Sequence, residues 1–414
     1  MRLIDREEPF LKEISAHPDD DHPRLVFADW LEEQGDPRGE FIRVQCALAA
    51  AAVDSPERQS LETLDRRLLA EVRPTVLARL KPLGVGDVRF SRGFVEKALV
   101  QGNGLVGRTS LLYQEAPALR GLMLRGWLRP QADALGRVFQ SPALACLTSL
   151  DASQNAFGTS GAWALARAPW LRQLVSLNLA QNRLAGQGLQ ELAAEGDARW
   201  ATLILTENEL SVSDARALSQ SSRVLELKTL MLDRNRLGDD GARAIAHAKH
   251  LSTLETLSVA DNELGVSGVR ALAEALYLTR LQTLSLATSL LGQTGAALIA
   301  SAAVFAKLKS LCLADCQIDA EGARALAVSP YLRQLTALDL SRNEIGNGVR
   351  ALAESSNFAQ LQELNLSSNN LNRRDVQALL ADGILPALTR LDLRDNELGD
   401  EAALRERFGD RVLL

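Results

Sequence analysis

The chain predicts an α/β solenoid, a stack of short parallel strands backed by helices, with a small all-α region ahead of it. Three observations carry that prediction. A stretch such as Leu254-Glu-Thr-Leu257-Ser-Val259-Ala-Asp-Asn262-Glu-Leu264 recurs about ten times. Its central asparagines, Asn155, Asn182, Asn208, Asn235, Asn262, Asn343, Asn369 and Asn396, form a series with Ser289 and Cys316 in which every step is 26 or 27 residues. Between them the apolar spacing switches from two to a helical one, as in Gly238-Asp-Asp-Gly241-Ala-Arg-Ala-Ile245-Ala246. No such unit buries its leucines alone, so stacking must close the core.

The totals agree. At 414 residues the chain is too long for one ordinary core, so several domains or a repeat array are expected. A net charge of -6 argues against nucleic acid or anionic membranes as general partners. Four cysteines, Cys46, Cys146, Cys312 and Cys316, form no C-x-x-C pair, which suits reduced thiols in a cytosol. The first residues, Met1-Arg-Leu-Ile-Asp-Arg-Glu-Glu, are charged where a signal peptide is apolar, and no membrane span is expected. The expected location is therefore cytoplasmic.

Taken in order, Glu8 to Ile14 reads as a short amphipathic helix ending near His17-Pro18. Asp21 is the expected N-cap of a second helix with Pro23 in its first turn, and Leu25, Val26, Phe27, Trp30 and Leu31 form its wide apolar face. Asp36-Pro37 starts a third helix through Phe41, Ile42, Val44 and Leu48. Ser55-Pro56 opens a fourth, with Leu61, Leu64, Leu68 and Val72 inward and Pro74 kinking or ending it. Val88 to Val100 reads as a hairpin about Gly93, placed to cap the open end of a stack. The coil around Leu119, Leu122 and Leu124 is degenerate, with Trp127 in the asparagine place, as suits a terminal repeat. Two short steps interrupt the period, one before Trp200 and one at Gly346-Asn-Gly348. Phe408 to Leu414 is expected to close the far end as a last strand.

Two resemblances follow from these residues. Phe10-Leu11, His17-Pro18-Asp19-Asp20-Asp21, Arg24 to Glu33 with its Ala28-Asp29-Trp30-Leu31-Glu32 core, and Glu40 to Gln45 resemble a repeat-companion domain. That module stands ahead of repeats in paralogous bacterial proteins of planctomycetes and myxobacteria, and no activity is implied by it. The 27-residue unit with Gly-x-x-Gly-Ala-x-Ala-Leu-Ala helices is similar to the ribonuclease-inhibitor class of leucine-rich repeats. The resemblance implies a leucine-rich-repeat solenoid, a horseshoe with its parallel sheet on the concave side and helices on the convex side. The expected organisation is a helical companion domain over 1–52, a connecting helix over 53–83, the hairpin cap and first degenerate coil over 84–117, the solenoid over 118–398 and a C-terminal cap over 399–414.

The search for chemistry finds little. His17 and His22 flank the Asp19-Asp20-Asp21 run, a pattern that helix capping and a solvated turn explain without a metal. His247 and His250 lack a third ligand. Walker, nucleophile-elbow and H-E-x-x-H motifs are absent, so neither cofactor nor enzymatic activity is expected. Cys312 is expected exposed on the sheet and Cys316 buried, with no histidine near either in sequence.

What remains is the residue between core leucines, which the core does not need. These residues are Asp151, Asn178, Ile204, Met231, Ser258, Ser285, Cys312, Asp339, Asn365 and Asp392. Ile204 and Met231 are apolar neighbours without a core reason. The adjoining loops carry Glu207, Glu209, Asp233, Asp261, Glu263 and Asp315 against Arg234 and Arg236, an acidic rim suited to a basic partner. Leu290 breaks the rim, either packing on Cys312 or marking a second contact spot. The reading is a monomeric, non-enzymatic scaffold that binds a protein on its concave face through Ile204, Met231, Glu207, Asp233, Arg234, Asp261, Cys312, Asp315 and Asp339. Two alternatives stand beside it. One is a GTPase activator using Arg183 or Arg234, by resemblance to repeat-built activators. The other is a structural spacer without a specific partner.

Overall fold

Regular coils open with three residues in strand geometry, and in most of them only the central leucine is buried. The period of two sends that leucine into the core and both its neighbours to the open face of the sheet. The computed structural model describes residues 3–102, 104–127, 132–194, 196, 198–381, 383–399 and 401–414. The chain divides into two compact units, Met1–Asn178 and Leu179–Leu414.

The first unit begins with four helices, α1 (Leu3–Ala16), α2 (His22–Glu33), α3 (Arg38–Ala50) and α4 (Pro56–Leu80). Helix α1 starts earlier than expected and carries Pro9 inside it. Asp21 is not the cap of α2. Its backbone is already helical, and the carboxylate of Asp20 accepts from His22 N instead, at 2.9 Å. Asp21 is drawn to Arg92, 3.3 Å away. Pro74 does not end α4, which runs six residues further to Leu80. Ser55 caps that helix by accepting from Arg58 N.

Strands β1 (Val85–Ser91) and β2 (Phe94–Gln101) form an antiparallel hairpin whose turn, Arg92-Gly93, has positive φ at both residues. The α5 helix (Thr109–Glu115) leads to β3 (Gly121–Arg125), which pairs in parallel with β2. Then follow α6 (Ala132–Phe139), β4 (Ser149–Asp151), α7 (Gly158–Ala166) and β5 (Ser176–Asn178), the strands again parallel.

The helical region is packed onto this hairpin. Phe94 and Ala118 are members of the same core as Ile14, Phe27, Leu31 and Ile42. Polar contacts fix the seating: Asp19 on Arg120 at 2.8 Å, Ser15 Oγ donating to Pro117 O at 3.0 Å, and Gly93 N donating to Gln45 Oε1 at 2.8 Å. The three aspartates that hinted at a metal are thus used as a cap and as two ion-pair anchors. The buried Arg24 guanidinium donates to Pro18 O and Asp20 O, both at 2.7 Å, and pins the same loop.

The second unit repeats strand and helix in the order α8 (Gln187–Ala193), β6 (Thr202–Ile204), α9 (Val212–Gln220), β7 (Thr229–Met231), α10 (Gly238–Ala246), β8 (Thr256–Ser258), α11 (Val266–Ala273), β9 (Thr283–Ser285), α12 (Gly292–Ser301) and β10 (Ser310–Cys312). It continues through α13 (Ala320–Ala327), β11 (Ala337–Asp339), α14 (Val349–Ala353), β12 (Glu363–Asn365), α15 (Arg373–Val376), β13 (Arg390–Asp392) and α16 (Glu401–Phe408) to β14 (Val412–Leu413). Strands β6 to β14 pair in parallel and in register, so the C-terminal segment is a last strand. The short step at Gly346-Asn-Gly348 is absorbed as a 3₁₀ turn ahead of the brief α14. The other short step falls around Glu195 and Asp197, which lie outside the described residues.

The asparagine ladder has a direct physical cause. Residues flanking it, such as Glu207, Glu209, Asp261 and Glu263, have φ between 52° and 60°, a left-handed backbone that costs a non-glycine residue roughly 1–2 kcal/mol. Such a loop leaves its peptide groups without partners. Asn208 Nδ2 donates to Leu179 O, Leu205 O and Thr206 O, while Asn182 N and Leu184 N both donate to its Oδ1. At the two exceptions, Cys316 Sγ lies 3.2 Å from Leu286 O, whereas the buried hydroxyl of Ser289 reaches no partner. Ser289→Asn is therefore expected to stabilise the protein by roughly 1–2 kcal/mol, read as a higher urea midpoint. An unchanged or lower midpoint would contradict this account of the ladder.

Loop conformation alternates from coil to coil. Glu209, Glu263, Gln317 and Asn370 are left-handed just after the ladder residue, and their helices follow an extended residue: Ser211, Gly265, Asp319 or Asn372. In the intervening coils the positive φ moves to Gly238, Gly292, Gly346 and Gly399. The two kinds interlock, because Arg236 N, Leu290 N, Glu344 N and Glu397 N each donate to a leucine or isoleucine carbonyl of the preceding coil. The structural unit is thus two coils.

Candidate functional site

Ile204 and Met231 are register partners on β6 and β7, both half-buried on the open face of the sheet. Cys312 and Asp339 are likewise partners on β10 and β11. The sheet therefore brings together residues 27 apart, as the period requires. Two residues of the expected column do not reach solvent. Ser258 is buried because its hydroxyl bonds to the carboxylate of Asp233, which also accepts from Ala260 N at 3.0 Å. Asp392 is buried beneath Arg394, which donates to it at 2.5 Å; this bond holds its carboxyl below the usual range.

A second column was missed. The residue before each central leucine also faces the open side, giving Thr202, Thr229, Thr256, Thr283, Ser310, Ala337, Glu363 and Arg390. Period two applied on both sides of the leucine would have found it. At β10 to β13 the two columns frame an open basin of about 370 Å³ lined by Ser310, Cys312, Asp339, Glu363, Asn365 and Arg390, among others.

The rim is acidic after its internal pairs are removed. Arg234 Nη1 donates to Glu207 at 2.5 Å and Gln181 donates to the other oxygen at 2.7 Å, holding the Glu207 carboxyl below its usual range. Arg236 approaches Glu209 at 3.9 Å. Both rim arginines are thus answered, while Asp261, Glu263 and Asp315 stand exposed on the following loops. Leu290 is 65% exposed, so the core does not hold its side chain. Its backbone is held instead, in a parallel bridge to Gly265.

Cys312 is half-buried rather than exposed, and burial pushes its thiol up. Burial also pushes Cys46 up to about 11 and Cys316 up to about 12. Cys146 is exposed. A thiol-reactive disulfide reagent at pH 8 is accordingly expected to give one fast equivalent, removed by Cys146→Ser, and three slow ones. A second fast thiol would refute the burial argument. Among the described residues no group of histidine, cysteine and carboxylates could hold a metal ion. His247 Nδ1 lies 3.0 Å from Arg243 O, at the end of its helix.

Six stretches, 227–246, 250–273, 306–327, 331–353, 360–380 and 386–404, match the family model described as Leucine Rich repeat. The chain carries leucine-rich repeats, and its fold is a leucine-rich-repeat solenoid preceded by a helical region of about 80 residues. Among solved structures it is similar to an internalin from Listeria monocytogenes, at 19% identity and a TM-score of 0.42, over 81% of this chain and 92% of that one. No curated protein sequence matches the chain. No helix among the described residues is long and apolar enough to cross a membrane.

Proposed function

We propose that the protein is a non-enzymatic scaffold whose repeat sheet binds a protein partner of basic character on its concave face. The observation that carries this reading is the juxtaposition of Ile204 and Met231 in register beside a rim whose arginines are already paired. An apolar centre ringed by like charge supplies affinity from the first and orientation from the second. The leucine-rich repeats support the same class of role. Of the two arginines the activator reading offers, Arg234 is engaged by Glu207, while Arg183 is exposed and keeps that reading as the alternative. The remaining parts of the proposal are a ribonuclease-inhibitor-like repeat subclass, an N-terminal repeat-companion domain of bacterial type, and a cytoplasmic monomer whose four thiols stay free.

The double variant Ile204→Asp/Met231→Asp tests the proposal. Affinity capture from the native host is expected to lose its specific proteins while the variant keeps the wild-type melting curve. Equal recovery by both proteins would show that this face is not the binding surface. A GTPase assay in which the protein raised hydrolysis above the intrinsic rate would favour the activator instead.

A further inference from the structure

The second unit has another face with chemistry of its own. Most of the large apolar side chains it exposes lie where helices return to strands: Leu225, Leu276, Tyr277 and Val328. Leu276 and Val328 are 75% and 73% exposed. The 27-residue period sets Leu276-Tyr277, Ala303-Val304 and Pro330-Tyr331 at one position in three successive coils. Backbone bonds stack these returns, with Gln282 N on Glu255 O and Lys309 N on Gln282 O, both at 2.8 Å. The result is an apolar ridge.

The ridge is set in positive charge. Returns 247–255, 274–282, 301–309 and 328–336 hold five lysines and arginines against two glutamates, in a chain of net charge -6. One of those glutamates, Glu255, faces Lys228 at 3.9 Å. Lys249, Arg280, Lys307 and Arg333 are exposed, and among the described residues no carboxylate pairs with them. At one end of the ridge an open basin of about 530 Å³ is lined by Arg216, Arg243, His247, Lys249 and His250 among others, with Asp240 answering Arg243.

We propose that this edge rests on an anionic lipid surface, the ridge entering the acyl boundary and the basic basin receiving phosphate headgroups. Side chains that stand out on a ridge have no walls with which to enclose a partner's side chain, and a fluid layer needs none. Flanking lysines and arginines are each worth about a fivefold gain in affinity near an anionic bilayer. The chain's overall negative charge conceals this edge, because the acids are concentrated elsewhere. The edge is separate from the open sheet face, so either proposal can fail alone.

Co-sedimentation of the full chain with large vesicles of equal phosphatidylcholine and phosphatidylglycerol tests this. Wild type is expected to bind at low salt, to be released by high salt, and to ignore pure phosphatidylcholine. Arg280→Glu/Lys307→Glu/Arg333→Glu should weaken binding by about 100-fold. Leu276→Glu/Val328→Glu should weaken it at least tenfold, whereas Leu290→Glu, on the strand-exit side, should leave it unchanged. The proposal is overturned if wild type stays in the supernatant, which would leave the edge as a protein-docking surface. It is equally overturned if Leu290→Glu weakens binding as much as the edge variants.

Discussion

Asn208→Ala is expected to remove roughly 2–6 kcal/mol of stability, because two buried amides are left without an acceptor. Five hydrogen bonds end on this amide. The carbonyls of Leu179, Leu205 and Thr206 each lose one donor but keep another, from Asn182 Nδ2, Asn235 Nδ2 and Gln181 N. Two amides, of Asn182 and Leu184, lose their acceptor. Alanine has no polar atom to replace the side chain, and each buried group left unsatisfied costs about 1–3 kcal/mol. The site is fully buried, so water does not compensate at no cost. Asn208→Ser should lose less, since the chain already tolerates serine in the same place at Ser289. Urea unfolding followed by circular dichroism measures both. If Asn208→Ala unfolds at the wild-type midpoint, the ladder is not what holds the loops.

Gly93→Ala is the second large effect, expected at roughly 2–5 kcal/mol. Gly93 sits in the hairpin turn at φ 83°, where a side chain costs roughly 1–2 kcal/mol by itself. A Cβ there would also fall 2.3 Å from Ile42 Cγ1 and 2.6 Å from Ile42 Cα. Relieving that overlap costs a further 1–3 kcal/mol or so, because α3 must shift and break the Gly93 to Gln45 bond. The consequence is specific. The helical region should loosen from the hairpin, seen as faster proteolysis within residues 1–83 while the repeats stay protected. Gly107→Ala is the control. It has φ 69° but nothing within 4 Å of its Cβ, so it carries only the backbone cost. Equal effects from the two would mean that the close approach to Ile42 is unimportant.

Much of the fold was legible from spacing. A 27-residue period with L-x-L and a following Gly-x-x-Gly-Ala segment leaves few ways to bury its leucines, so strand, helix, stacking and parallel register followed. Ile204 and Met231 could be named as neighbours for the same reason. Local and side-chain details were less legible. Asp20 and Asp21 are adjacent and chemically alike, and only the position of Arg92 across the interface decides which of them caps. Ser258 looked free, but Asp233, one coil away, takes its hydroxyl. Glu8-Pro9 was read as opening its helix and Pro74 as kinking or ending one, yet both prolines lie inside helices, where packing outweighs one missing donor.

The sequence by itself determined the repeat, its register and the identity of the core, because these depend on periods of two, of a helical turn and of 27 residues that any folded form must satisfy. Only the tertiary structure decided how consecutive loops differ. Gly265 and Gly292 hold the same place in the motif, yet Gly265 is extended and Gly292 is left-handed, at φ 53°. Glycine permits either. The choice is made by the neighbouring coil, where Leu290 N takes the carbonyl of Leu264 and Gly292 N that of Cys316. Tertiary contacts likewise seated the helical region on the hairpin, since Phe94 and Ala118 complete its core from outside its own sequence.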